Sequence, residues 1–306
     1  MSETGAGRSV KKPLIRSLGD REVGPLAFGC WRFVPANVDD PVGLVSEALD
    51  VGMNLVDTAD VYGLDWGGTD FGQAEALLGR ALGAEPSLRE RMVLATKGGI
   101  RPPVPYDSSP EWIRTAVTDS LRRMKVDRID LYQIHRCDPF THPAALAAVL
   151  DELVESGVLG SIGVSNHSVA QTRALERHLD APLVSTQPEY SLVHLDPMRD
   201  GTFDDCTEHG RRPLVWSPLG GGRLATGEGI DGALLAVMDR LAGERGVDRS
   251  AVGLAFVLAH PSAPVAIVGS TRPDRLAGMV GGVAEVELTR AELYELIQAS
   301  DGEPLP

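Results

Sequence analysis

Basic residues are in short supply. The chain of 306 residues carries 29 Lys and Arg against 43 Asp and Glu, a formal net charge of −14. Such a balance disfavours nucleic acid and anionic membranes as partners, because both are held by basic surfaces. It leaves room for one local basic pocket around an anionic cofactor. Cysteine is scarce as well: Cys30, Cys137 and Cys206 make an odd set of 3, with no C-x-x-C pair. Neither a disulfide framework nor a cysteine-rich zinc site is indicated. No apolar run is long enough to cross a bilayer. The opening MSETGAGRSVKK lacks the apolar stretch of a signal peptide. A cytoplasmic protein is expected, with residues 1–12 a loose polar tail and 13–306 one domain. Also missing is a G-x-G-x-x-G after the first strand-like run, which a Rossmann domain needs to seat a pyrophosphate.

What the chain does have is alternation. Short apolar runs suited to buried strands fall at Pro25–Gly29, Met53–Asp57, Met92–Lys97, Ile129–His135, Gly160–Ser165, Leu183–Gln187, Leu214–Ser217 and Val265–Gly269. Helical spacing separates them, as at Pro41–Asp50, Ala74–Leu82, Pro110–Met124, Pro143–Ser156, Val169–His178 and Gly232–Arg245. The stretches SPEWI (from Ser109) and THPAAL (from Thr141) carry helix-start signals, a capping side chain followed by proline in the first turn. Eight strand–helix units in one chain of even composition predict a closed (β/α)8 TIM barrel of the α/β class. IRSLGDREVG predicts an N-terminal β-hairpin closing the bottom. Thr289–Ser300 predicts an extra C-terminal helix over the outside or one mouth.

Polar residues collect where these runs end. Asp57, Lys97, His135, Asn166, Gln187, Ser217 and Ser270 each stand at, or one step past, the C-terminal end of a strand. In a barrel those ends share one mouth, which is where such folds place an active site. Singly, each has an ordinary reading: Asp57 as a helix cap, Lys97 as a solvated tip, His135 as a core histidine. Their common register argues for a site. A tyrosine near it, Tyr62, is a weak acid with a free pKa of about 10. An adjacent ammonium, Lys97, favours its phenolate, and Asp57 would hold that ammonium in place. His135 would donate a hydrogen bond to a carbonyl oxygen, and Tyr62 would deliver a proton to it. The set contains no nucleophile, so the attacking species must come from elsewhere. Asp57 and His135 also have the ligand chemistry of a metal-dependent hydrolase. Paired-histidine spacing is absent and Lys97 would repel a cation, so no metal is expected.

At these residues the sequence closely resembles the aldo-keto reductase superfamily. VDTADVYG supplies Asp57 and Tyr62, LATKGG supplies Lys97 and DLYQIHR supplies His135, matching the family's catalytic tetrad. GVSN stands at Gly163–Asn166, followed by TQPEYSL, WSPLGGGRL and VGSTRPDRL. The resemblance implies a barrel that binds NADPH (NADP+) in extended form and reduces an aldehyde or ketone, with Tyr62 as general acid. It implies a small-molecule carbonyl or alcohol substrate and neither nucleic acid nor membrane as partner. It places Gly29 and Trp31 near the cofactor and assigns Ser165, Asn166 and Gln187 to the nicotinamide carboxamide. Stacking on the nicotinamide falls to Tyr190, whose plain alternative is a core tyrosine. Ser217, Pro218, Leu219, Gly220, Gly221 and Arg223 would wrap the pyrophosphate. Gly269, Ser270, Thr271, Arg272 and Arg275 would meet the adenosine 2′-phosphate, Arg275 being otherwise a charged helix start. Arg275 and Met279 depart from the Gln and Asn that many relatives set against the adenine. Trp31, Trp66, Tyr62 and His135 would line the substrate pocket, with Arg136, Cys137 and Phe140 at its edge. The glycine-rich segment 64–72 is read either as a mobile flap or as a plain surface loop. A regulatory module that binds nicotinamide cofactor with little turnover is the alternative function.

Overall fold

The computed structural model describes residues 15–305; the expected tail, residues 1–12, lies outside them. Ten strands are present among the described residues: β1 (Arg16–Leu18), β2 (Arg21–Val23), β3 (Leu26–Gly29), β4 (Leu55–Asp57), β5 (Val93–Gly98), β6 (Ile129–Ile134), β7 (Leu159–Ser165), β8 (Leu183–Gln187), β9 (Arg212–Val215) and β10 (Val265–Val268). β1 and β2 form an antiparallel hairpin, and β3 to β10 close a parallel barrel in chain order. Helices follow the barrel strands, as parallel pairing requires.

Local sequence explains the helix starts. Ser109 accepts from the Trp112 amide ahead of Pro110, and Asp40 accepts from Gly43 ahead of Pro41. Ser168 with Gln171, and Thr289 with Glu292, form reciprocal capping boxes. Such caps satisfy amides that have no partner inside the helix and contribute about 1 kcal/mol each.

Strand alternation then sorts the side chains. Leu55, Val93, Ala95, Leu131, Leu214, Val265 and Ile267 form one apolar cluster with Leu18 and Val23 of the hairpin. Val56, Leu94, Tyr132, Ile134 and Val215, one step out of phase, belong to a second cluster shared with the helices. The first cluster fills the barrel and the second is the layer between barrel and helices. The hairpin therefore plugs the bottom, as expected. Arg212 fastens it by donating to the Ser17 carbonyl oxygen at 2.8 Å, and Arg21 pairs with Asp130 at 3.0 Å. Burying each large apolar side chain contributes roughly 1.5–3 kcal/mol, so the plug is a substantial element of stability.

The C-terminal helix, Arg290–Asp301, lies on the outside of the barrel against Gly232–Arg245. Arg240–Glu295 and Arg245–Glu292 ion pairs, both 2.6 Å, tie the two. Its last turn reaches the connection after β8, where Arg199 pairs with Asp301. Helices also form at Thr202–His209, Arg249–Leu258 and Pro273–Ala284. Among the described residues no helix is long and apolar enough to cross a membrane.

Candidate active site

Two-residue periodicity carries the apolar filling of the barrel up to its polar layer. Leu55 faces inward, and so does Asp57; Val93 and Ala95 lead to Lys97; Leu131 leads to Gln133 and then His135. At the C-terminal ends of β4, β5 and β6 the interior changes from apolar to charged. The Lys97 Nζ donates to Asp57 Oδ2 at 2.6 Å and to the Thr58 carbonyl oxygen at 2.7 Å. Both side chains of this pair are buried, 1% and 3% exposed. The other carboxylate oxygen, Asp57 Oδ1, accepts from Gln187 Nε2 at 2.9 Å and Gln133 Nε2 at 3.2 Å.

Tyr62 arrives on the loop after β4. Its ring centroid lies 4.9 Å from Lys97 Nζ and 5.9 Å from the His135 ring, which it meets edge-on. Burial raises the phenol pKa, the Asp57 charge adds to that, and the Lys97 ammonium only partly opposes them. The net direction is upward, the reverse of the lowering expected from Lys97 alone, because loss of water around the hydroxyl is the larger effect. A phenol held this way keeps its proton. Burial alone would lower the Lys97 pKa, but the charge and hydrogen bond of Asp57, with Tyr62, carry it above the usual value. His135 is held well below its usual range by burial, then by the Lys97 and Arg136 charges. It is a neutral imidazole at physiological pH. Its Nδ1 is buried with no hydrogen-bond partner in the protein.

Ser165 and Asn166 stand beside this layer at the end of β7. Ser165 Oγ donates to the Gln187 carbonyl oxygen at 3.0 Å and accepts from Asn166 Nδ2 at 2.8 Å. Asn166 Oδ1 accepts from the Trp216 indole at 2.9 Å. Asn166 and Ser217 both adopt left-handed backbone, with φ of 56° and 49°. Non-glycine residues in that region are uncommon, and they collect at functional sites.

Tyr190 is not in the mouth. It is 1% exposed and packs edge-on against Phe203 at 4.8 Å, with Phe256 at 5.8 Å and His260 at 6.4 Å. Its hydroxyl turns to Met198 Sδ. It is a core tyrosine between the barrel and its helices, so the nicotinamide-stacking role expected of it is corrected. The aromatic ring beside Asn166 is Trp216, just past β9 and partly exposed.

The connection after β9 is built for close approach. Gly220, Gly221 and Gly222 all have positive φ, and a Cβ on Gly221 or Gly222 would meet nothing within 4 Å. Arg223 Nε donates back to the Gly220 carbonyl oxygen at 3.0 Å, while Pro218 and Leu219 are buried beneath. Across the mouth, Gly29 ends β3 against Ile267, and a Cβ there would come within 2.7 Å of it. Gly269 lies just past β10, next to the Gly29 carbonyl oxygen. Ser270 and Thr271 precede the helix Pro273–Ala284, with Arg272 as its N-cap and Arg275 in its first turn; both arginines are exposed. Arg272 is paired with Asp274 at 2.6 Å, within the same turn. Met279, on that helix, packs against the hydrophobic core.

Trp31, Trp66 and Tyr62 form an aromatic corner at the entrance. Trp31 is 6.4 Å from Tyr62 and 5.6 Å from Trp66, meeting the latter edge-on. Trp31 Nε1 donates to Asp65 at 2.8 Å. Arg32 lies 3.9 Å over the Trp66 ring and donates to the Gly221 carbonyl oxygen at 3.2 Å. The segment 64–72 is closed at its base by Asp70 N donating to the Gly63 carbonyl oxygen at 3.1 Å. Phe140 is exposed, and Arg136 and Cys137 are half-buried. Sequence reasoning passed over Gln133, Arg32 and the placement of Trp216. The signal for Gln133 was available: an amide inside an apolar strand, in phase with His135.

A barrel whose mouth holds a buried carboxylate–ammonium pair, a phenol and a neutral imidazole matches one family throughout. The aldo/keto reductase family model matches residues 25–301. The chain belongs to the aldo-keto reductase family. It is similar to 6-dehydroglucose reductase of Novosphingobium aromaticivorans, 45% identical over 96% of this chain and 98% of the relative. It is also similar to 6-dehydroglucose reductase of Agrobacterium fabrum, 33% identical over 94% of this chain and 97% of the relative. Among solved structures it resembles an aldo-keto reductase from Bacillus halodurans in its holo form, 26% identical, TM-score 0.78, covering 96% of this chain and 98% of that one. This aldo-keto reductase is accordingly an oxidoreductase acting on carbonyl groups.

Proposed function

We propose that this aldo-keto reductase reduces an aldehyde to an alcohol using NADPH, with Tyr62 giving the proton. The observation that carries the reading is the buried Asp57–Lys97 pair with its ammonium 4.9 Å from the Tyr62 ring, and the His135 ring 5.9 Å from that same ring. A nicotinamide cofactor fits the residues present. The amide of Asn166 stands beside the Trp216 ring, and Gly221 and Gly222 leave open space at their Cα atoms. When bound there, NADPH would supply a hydride for the carbonyl carbon. As negative charge develops on the carbonyl oxygen, Tyr62 delivers its proton there, and the Lys97 ammonium stabilises the phenolate left behind. Neutral His135 orients the same oxygen by donating from its ring N–H. Asp57 keeps Lys97 charged inside the barrel, where an unpaired ammonium would lose its proton.

Ser270, Thr271, Arg272 and Arg275 are proposed to read the 2′-phosphate, since a guanidinium fork suits a phosphate dianion. The two relatives named 6-dehydroglucose reductase favour an aldehyde carried on a sugar. The entrance suits such a substrate: aromatic faces at Trp31 and Trp66 for C–H surfaces, with Asp65 and Arg32 for hydroxyls. The test is a screen of sugar aldehydes, simple aldehydes and ketones with NADPH and NADH, following oxidation of the cofactor. Steady NADPH-dependent turnover of a sugar aldehyde, lost in Tyr62→Phe, is expected; no turnover with any carbonyl compound would refute the reading.

A further inference from the structure

The charged layer contains an amide that the proposed reaction does not use. Gln133 sits on β6 directly beside Lys97 of β5 and Gly163 of β7. It is fully buried. Gly163 makes its space, since a Cβ there would come within 2.2 Å of Ser185 Oγ and 3.3 Å of Gln133 Cγ. A carboxylate paired with an ammonium can only accept hydrogen bonds. The two amide groups that touch Asp57 Oδ1 must therefore both turn N–H toward it, Gln187 at 2.9 Å and Gln133 at 3.2 Å. That leaves the Gln133 carbonyl oxygen to accept the second N–H of Gln187, at 3.2 Å. Both Gln187 donors are thereby consumed inside the barrel, and only its carbonyl oxygen is left over.

We propose that Gln133 is a positioning residue: it locks the Gln187 amide so that this side chain offers a cofactor an acceptor and no donor. The inference rests on the reading of Gln187 as a nicotinamide contact. In that setting Gln187 recognises the N–H2 of the carboxamide and is indifferent to its carbonyl oxygen. The orientation is tied, through Asp57, to the ion pair that charges Lys97. If Gln133 is replaced by leucine, the second Gln187 N–H loses its acceptor, and the buried donor turns to seek one.

The test uses NADP+ and its 3-acetylpyridine analogue, in which a methyl ketone replaces the carboxamide, keeping the carbonyl oxygen and losing the N–H2. Binding is read by quenching of tryptophan fluorescence, with circular dichroism confirming that each variant folds. Wild type should bind the analogue more weakly by roughly two- to tenfold, the usual effect of one hydrogen bond. Gln133→Leu should bring that ratio close to one by weakening NADP+ selectively. Gln133→Asn withdraws the amide by one methylene without introducing an apolar group, and should do the same. Gln133→Glu should keep the wild-type ratio, because a carboxyl beside Asp57 is held protonated and both donates to Asp57 and accepts from Gln187. An unchanged ratio in both the leucine and asparagine variants, or no preference in wild type, would overturn the proposal. Failure of wild type to bind either dinucleotide would overturn it together with the reading of a nicotinamide site.

Discussion

Replacing Lys97 by methionine isolates the charge at the centre of the site. Methionine fills most of the lysine stem and removes the ammonium. Asp57, 3% exposed, then keeps only its amide partners Gln133 and Gln187. Removing one member of a buried ion pair typically costs about 3–5 kcal/mol, because the remaining charge is left without a counter-ion. At 1.4 kcal/mol per decade this lowers the folding equilibrium constant by roughly two to three and a half orders of magnitude. Adding Asp57→Asn to Lys97→Met removes the stranded charge and should recover at least half of the loss, roughly 2 kcal/mol. Urea denaturation at neutral pH, for wild type and the single and double variants, measures all of this. A double variant no more stable than Lys97→Met at neutral pH would show that Lys97 does not neutralise a buried Asp57 charge.

Other expectations follow from the same geometry. Tyr62→Phe should keep the thermal midpoint and cofactor affinity while lowering the turnover number about a hundred- to ten-thousand-fold, the usual range for a general acid; steady-state kinetics beside a melting curve check it. His135 is held neutral, so below pH of about 6.5 the unfolded chain takes up a proton that the folded chain refuses. Stability should fall there with a slope of up to about 1.4 kcal/mol per pH unit. His135→Asn should remove that share of the slope and leave the share of His167, which burial also holds low; denaturation midpoints between pH 5 and 7 report the difference. Arg272→Ala should weaken NADPH binding at least about tenfold and leave NADH nearly unchanged. The wild-type preference should shrink as salt rises, since the arginine is exposed; fluorescence titration with both cofactors decides it.

The tetrad was legible because two independent patterns converge on it. Strand ends fix the height of a residue in the barrel, and alternation fixes its face. Asp57, Lys97 and His135 satisfy both. Tyr190 and Trp216 show what happens when only one pattern is used. Both are aromatic residues just past neighbouring strands, and height alone does not separate them. Alternation does: Trp216 is in phase with Leu214, which faces the barrel interior, while Tyr190 is out of phase with the inward Gln187. Gln133 was readable by the same rule. The helices not anticipated have physical reasons for their silence. Arg249–Leu258 is buried along Ala251–Leu258 without a break, so it shows no amphipathic period. Pro273–Ala284, read in advance only as a possible helix start at Arg275, carries Gly278, Gly281 and Gly282, which depress helix propensity. Thr202–His209 is short and begins at Gly201 with no side-chain cap.

The charges and the phenol are mounted differently, and this division bears on how the proposed reaction would work. Asp57 and Lys97 belong to strands, with a continuous ladder on either side, and their separation is fixed by the register of β4 on β5. Tyr62 belongs to a loop. It is held by Ala74 N donating to its carbonyl oxygen at 3.1 Å, by the turn at Gly63 and by contact with Trp31. Gly63 has a φ of 126°, and a Cβ there would lie 2.4 Å from the Asp70 carbonyl oxygen. Only glycine lets the chain turn back so closely beneath the phenol. The electrostatic part of the site is thus preorganised by the barrel, where reorganisation during reaction would be costly. The phenol that would follow the substrate oxygen in the proposed reaction rides on a loop that also carries Trp66, one wall of the entrance. In the proposed reaction, a substrate pressing on Trp66 and Trp31 would act on the same segment that carries Tyr62, a physical route from substrate fit to proton transfer that leaves the buried pair undisturbed.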